Sequence, residues 1–234
     1  MKLNNFSKIV GEIMNIIDII GPVMIGPSSS HTAGAVRLGL MAKSILGETV
    51  AKADIFLHGS FAETYKGHGT DMALLAGLMG WATDDERISQ AMEYAQKADL
   101  IYNFQKIDLG SLTHPNTVLF KLTGDKGSYI EITGSSIGGG QIVITNIDGM
   151  DVEITGKLPA LITTHVDKPG VINMISGILA YSHINIATMR LFRDDKGGVA
   201  SLLIECDQDV PANVVAMVQN LDGICTVRFV EKLL

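Results

Sequence analysis

The chain has 234 residues, 47% of them apolar and 18% charged, with a formal net charge of −7. That length holds one large domain or two modest ones with buried cores, and the apolar share excludes a disordered chain. An acidic balance without a compensating Lys/Arg cluster argues against nucleic acid and against an anionic membrane surface as partner.

The first expected element is an apolar helix from Phe6 to Ile25, with Ile9, Ile13, Ile16, Ile17 and Ile20 as its stripe. Lys8, Glu12 and Asp18 interrupt it and no cleavage pattern follows, so it reads as a buried or amphipathic helix of a cytoplasmic protein. Next comes Gly26-Pro27-Ser28-Ser29-Ser30-His31-Thr32-Ala33-Gly34, which packs four hydroxyls and an imidazole into five positions. Ala35, Leu38, Ala42 and Ile45 follow at helical spacing, so the cluster sits at a helix start, where free N–H groups attract a carboxylate or phosphate. A single serine would satisfy an N-cap; three serines and His31 exceed that need.

Ala53 to Leu57 reads as a strand ending in His58-Gly59-Ser60. Tyr65-Lys66-Gly67-His68-Gly69-Thr70-Asp71 reads as a polar Gly-rich loop feeding an apolar helix at Met72 to Met79. Thr83-x-x-Glu86 has the pattern of a capping box for a helix through about Ala98. Short β-prone stretches follow at Ile101–Ile107, Thr117–Leu122, Tyr129–Thr133 and Gln141–Ile147, separated by Gly-rich turns. The first half is therefore expected to be an α+β domain, ending near Thr155-Gly156-Lys157-Leu158-Pro159. If its two His-bearing loops face each other, they form a pocket of neutral donors and acceptors with Lys66 as a cation, suited to a small zwitterion, and His31, His58 and His68 are placed to move protons.

From Pro159 onward the pattern is an alternating strand to Val166, turn at Asp167-Lys168-Pro169-Gly170, helix Val171–Tyr181, strands Ile184–Phe192 and Ala200–Cys206, a helix starting at Pro211, and a last strand from Cys225 to about Glu231. That β-α-β-β-α-β order is the ferredoxin-like arrangement. The segment from 159 to 234 resembles an ACT domain, with His165-Val166-Asp167-Lys168-Pro169-Gly170-Val171 matching the family's first loop and Asn185-Ile186 the position after its first helix. The resemblance implies an effector or cation site at His165, Asp167, Gly170 and Asn185, and self-association, since the family's ligand lies between paired domains. Read without the family, His165 is a strand histidine and Asn185 a loop asparagine.

Several chemistries lack their motif: there is no G-x-S-x-G elbow, no Walker loop and no H-E-x-x-H pair. Cys206 and Cys225, the chain's two cysteines, belong to no metal-binding spacing, so no metal ligand is assigned here. Ile19 to Gly34, with His58-Gly59-Ser60 and Lys66-Gly67-His68-Gly69-Thr70-Asp71, closely resembles the β chain of bacterial iron–sulfur L-serine dehydratases. Residues 1–155 are likewise similar to the extra substrate-binding domain of some phosphoglycerate dehydrogenases. The resemblance implies conversion of L-serine to pyruvate and ammonia by α,β-elimination, at a [4Fe–4S] cluster ligated by a partner α subunit and not by this chain. It implies Ser28, Ser29, Ser30, Thr32 and Lys66 at the substrate, and His31, His58 and His68 in proton handling. The alternative is a regulatory serine-binding module with its catalytic groups on another chain.

Overall fold

The computed structural model describes residues 22–193 and 195–233. The helix expected over Phe6 to Ile25 falls outside them, apart from residues 22–25, which are irregular. The chain then enters a π-helical turn at Ser29–Ala33 that runs directly into α1 (Gly34–Leu46). Helix α1 stops at Gly47, which takes φ 74° and returns its N–H to the Lys43 carbonyl, a left-handed cap that glycine adopts without steric cost.

Strand β1 (Val50–His58) leads into α2 (Gly59–His68), α3 (Thr70–Leu78), a 3₁₀ turn (Glu86–Gln90), α4 (Ala91–Lys97) and β2 (Ile101–Lys106). Because β2 lies parallel to β1, the helices form the crossover that a parallel pair requires. Strands β3 (Thr117–Gly124), β4 (Tyr129–Gly138), β5 (Gln141–Ile147) and β6 (Met150–Ile154) follow as an antiparallel meander, giving a sheet of order β2-β1-β3-β4-β5-β6. The second sheet holds β7 (Ala160–Val166), β8 (Ile186–Arg193), β9 (Val199–Cys206) and β10 (Ile224–Val230) in the antiparallel order β10-β7-β9-β8, with α5 (Val171–Tyr181) and α6 (Ala212–Gln219) on one face. This is the ferredoxin-like order, and the whole is α+β.

Three sequence expectations need correction, and one strand, β6, was not expected. The segment Tyr65–Asp71 is not a loop: α2 runs from Gly59 to His68 and only Gly69, at φ 68°, separates it from α3. Two glycines within so short a helix hide the Phe61, Ala62 and Tyr65 face from a periodicity search. The capping box is unused, because Thr83 Oγ1 donates to the Val23 carbonyl and Asp85 instead caps the 3₁₀ turn through Arg87 N–H. Strand β6 carried no clear strand signal. Strand β7 does not alternate, since Ala160 to Thr163 are all buried.

The reason lies in the packing between the sheets. Leu161, Leu202 and Ile204 pack with α5 and α6, whereas Ala160, Ile162, Leu203 and Val230 join the core that includes Met41 of α1. Both faces of β7 are therefore covered, each buried aliphatic side chain contributing about 1.5–3 kcal/mol. Helix α1 approaches α3 equally closely: a Cβ on Gly77 would lie 2.1 Å from the Val36 carbonyl oxygen, so glycine is required at that crossing.

Candidate active site

Ser28 has extended backbone angles and its Oγ accepts from His31 N–H at 3.2 Å, while its carbonyl accepts from Thr32 N–H at 2.8 Å. These two bonds wind the polar run into the π-helical turn, a form that recurs at functional sites. The turn presents the His31 ring to α2. Its Nε2 lies 3.3 Å from Ser60 Oγ, its Nδ1 3.5 Å from Ser28 Oγ, and the Phe61 ring meets it edge-on at 5.2 Å. His68, from the end of α2, meets it edge-on at 4.7 Å. Burial, then the proximity of His68, holds His31 below the usual histidine value of 6.5. A neutral imidazole set between two hydroxyls is equipped to accept a proton.

Beside this group lies a cavity of about 250 Å³ lined by Gly26, Pro27, Thr32, Lys66, His68 and Met72, among others. Ser28, His31, Thr32, Lys66 and His68 are thus gathered in one place, as the sequence suggested. Ser29 lies in the turn, its carbonyl accepting from Gly34 N–H, and Ser30 is half-buried there.

His58 is placed differently. It continues the Asp54–Phe56 side of β1, opposite the Ala53, Ile55 and Leu57 side that forms the core. Its Nδ1 accepts from Leu109 N–H at 3.1 Å, with the exposed Asp108 carboxylate 3.9 Å away. In the neutral ring the proton is therefore on Nε2.

The sequence reading missed the floor beneath the turn. Asn116 and Ser136 extend the core-facing side of β3 and β4, joined by Ser136 N–H to the Asn116 carbonyl at 2.9 Å. Gly34 sits so close to Ser136 that a Cβ there would be 2.0 Å from its Oγ. Thr32 Oγ1, Thr70 Oγ1, Asn116 Oδ1 and Ser136 Oγ are buried without a hydrogen-bond partner among the described residues. Buried polar atoms are ordinarily paired, so these four keep hydrogen-bonding capacity that the described residues do not use. The hydroxyls at the ends of β3 and β4, next to Gly134 and Gly138, were the signal available in the sequence.

In the second sheet, His165 is buried with Nδ1 unpartnered among the described residues. Asp167 accepts from Arg193 Nη1 at 2.8 Å and Gly197 N–H at 3.0 Å. Gly170 caps α5 at φ 97°, and Asn185 donates to Asp207 at 2.6 Å.

The residues do not fit a [4Fe–4S] cluster. Cys206 is buried at the Ala160 end of β7, with burial pushing its thiol up to about 11, and Cys225 is exposed at the His165 end. Roughly 17 Å of strand separates those ends. Among the described residues no group of three or more His, Cys, Asp or Glu side chains converges, and no helix is long and apolar enough to cross a membrane.

A family model described as "Serine dehydratase beta chain" matches residues 15–147. The chain is 42% identical to the "Probable L-serine dehydratase, beta chain" of Bacillus subtilis, over 91% of this chain and 96% of that one. It is 36% identical to the "L-serine dehydratase, beta chain" of Peptoniphilus asaccharolyticus, over 92% and 96%. It is also 24% identical to the D-3-phosphoglycerate dehydrogenase of Synechocystis, over 81% of this chain and 34% of that enzyme. Among solved structures, the ACT domain of a GTP pyrophosphokinase of Chlorobium tepidum covers 32% of this chain and 88% of its own length at 23% identity, with a TM-score of 0.27.

Proposed function

Because the chain belongs to the serine dehydratase beta chain family, we propose that it is one of two chains of an enzyme converting L-serine to pyruvate and ammonia. The observation that carries the reading is the His31 ring, held neutral between Ser28 and Ser60 and against His68, at the edge of a polar-floored cavity. In α,β-elimination the substrate gives up its Cα proton, and its Cβ hydroxyl takes up a proton and departs as water; the resulting enamine is protonated at Cβ to the imine, which water hydrolyses to pyruvate and ammonia. His31 accepts a proton, His68 exchanges it with solvent, and Ser28, Ser29, Ser30, Thr32 and Lys66 orient the substrate carboxylate. His58, under the Leu109 loop, positions the start of α2. The [4Fe–4S] cluster belongs on this reading to the α chain, and none of the steps assigned here runs through it.

The second domain is proposed to be an ACT-like regulatory and self-association module. His165 Nδ1 and Thr163 Oγ1, buried and unpartnered on one side of β7, support an effector there, together with Asp167, Gly170 and Asn185. Strand β8 is a sheet edge exposing Met189 and Leu191, which supports pairing of two copies.

The test is pyruvate release from L-serine by this chain alone, by the cysteine-bearing partner alone, and by the two mixed anaerobically. Activity only in the mixture is the expected result. Full activity in the partner alone would reduce this chain to a sensor or scaffold. Inactivity of the mixture with an intact cluster would refute the reading.

A further inference from the structure

Ser60 is given no step in the function proposed above, although its Oγ lies 3.3 Å from His31 Nε2. Its backbone is fixed at three points. Gly59 takes φ 57°, and a Cβ there would come within 2.7 Å of the Pro115 carbonyl oxygen. That oxygen accepts from Phe61 N–H at 3.3 Å, and Thr64 Oγ1 donates to the Ser60 carbonyl at 2.8 Å. The loop before β3 thus clamps the start of α2, and the clamp sets where Ser60 meets the ring.

The two hydroxyls beside His31 are not equivalent. Ser28 Oγ is engaged as the cap, accepting from His31 N–H at 3.2 Å, and lies 3.5 Å from Nδ1. Ser60 Oγ has His31 Nε2 as its one hydrogen-bond partner among the described residues, so its O–H is free to turn. The separation of 3.3 Å is longer than a strong hydrogen bond, as catalytic contacts commonly are before substrate binds.

No carboxylate backs the ring, since none of the ion pairs among the described residues includes His31. Of the charged and titratable groups on the elements packed against the turn, Arg37 of α1 donates to the Gly140 carbonyl, Glu63 and Lys66 of α2 are exposed, and Asp71 of α3 accepts from Met72 N–H. His68 meets the ring itself, and β4 brings the hydroxyl of Ser136. A carboxylate only accepts hydrogen bonds. A hydroxyl donates to a bare ring nitrogen and accepts from a protonated one, so it serves His31 before and after proton uptake.

Resting on the function proposed above, we infer that Ser60 is a positioning residue of the reaction: its hydroxyl donates to Nε2 of the neutral ring and turns to accept from Nε2–H once that nitrogen has taken the substrate proton. The Cα–H bond breaks, its electron pair stays with the substrate, and the proton forms the Nε2–H bond. The neutral ring carries its own proton on Nδ1, toward the fixed Ser28 Oγ.

Two measurements test this. In the full chain carrying isotope-labelled histidine, long-range proton–nitrogen correlation spectra at about pH 8, where a histidine is neutral, should show His31 as the Nδ1–H tautomer, its signal identified by loss in His31→Gln. The Nε2–H tautomer would overturn the assignment. In the reconstituted two-chain enzyme, Ser60→Ala should lower kcat about tenfold through the lost hydrogen bond to the ring, with the KM for L-serine unchanged. The acid limb of the kcat profile should move down by about half a unit to one unit, because a hydrogen bond to the charged ring is stronger than one to the neutral ring. An unchanged kcat, or a lowered kcat with the acid limb unmoved, would overturn the assignment while leaving the dehydratase reading intact. A wild-type pair that releases no pyruvate would overturn that reading itself.

Discussion

The π-helical turn at Ser29–Ala33 and the segment Thr163–Gly170, the end of β7 with its loop into α5, use similar materials, a histidine, hydroxyls and a glycine before a helix, yet dispose of their polar groups in opposite ways. In the second segment most are satisfied within the chain, Asp167 by Arg193 and Gly197 and Lys168 by Asp222, as is Asn185 beyond α5 by Asp207 and Gln208. Among the described residues, the buried atoms left over there are His165 Nδ1 and Thr163 Oγ1. Around the turn, His31 meets uncharged hydroxyls, and Thr32, Thr70, Asn116 and Ser136 each keep an unpartnered atom. Polar density alone is thus a poor guide to a site. What marks the turn is the polar capacity that the described residues leave unused.

The largest effect should come from His31→Ala, which removes the group that the turn exists to present. In the two-chain enzyme kcat should fall by about 10²–10⁴-fold, the usual contribution of a positioned acid–base group, with the thermal midpoint nearly unchanged. Near-normal turnover would break the contrast. A matched glycine pair sharpens it. In Gly34→Ala the new Cβ would meet Ser136 Oγ at 2.0 Å and Ser136 Cβ at 2.8 Å, so the turn must shift; we expect a cost of about 1–3 kcal/mol and a clear loss of kcat. In Gly170→Ala nothing lies within 4 Å and only the φ of 97° is strained, which should cost about 1–2 kcal/mol and leave kcat alone. Chemical denaturation with steady-state kinetics on both variants separates the two outcomes.

Much of this was legible in the sequence because it depends on local pattern. The helix from Val171 to Tyr181 and the strand from Gln141 to Ile147 are where periodicity put them; that the His31 and His68 segments face each other was a condition in the sequence reading, and the two rings lie 4.7 Å apart. What was illegible depends on tertiary neighbours. Nothing local shows that β7 is buried on both faces, because its second cover is α1, far earlier in the chain. Asn116 and Ser136 become a floor only when β3 and β4 pair and Gly34 settles on them. His58 shares its motif with Ser60, but strand alternation turns it to the other face of the sheet, a consequence of period two that the motif alone does not display. The segment Tyr65–Asp71 reads as a loop because its glycines mask two helices joined at Gly69.

The smallest effect concerns the two histidines themselves. Burial, joined by His68 at His31 and partly opposed by Asp167 at His165, holds both below 6.5 in the folded chain. The unfolded chain therefore binds more protons between each folded value and 6.5, so stability rises with pH across that window and is lost as pH falls through it. The two sites should divide this behaviour. His165→Leu removes a buried ring with an unpartnered nitrogen, so it should flatten the acid-side loss of stability in melts from about pH 5 to 8. Near neutrality it should change stability by no more than about 1 kcal/mol, because replacing an unsatisfied polar group by an apolar one can be nearly neutral. It should not move the acid limb of the pH–rate profile, which belongs to His31. A large, pH-independent destabilisation in His165→Leu would mean that its ring is a packing element. In that case the resemblance between the two loops would be one of composition only, with the π-helical turn alone built to exchange protons.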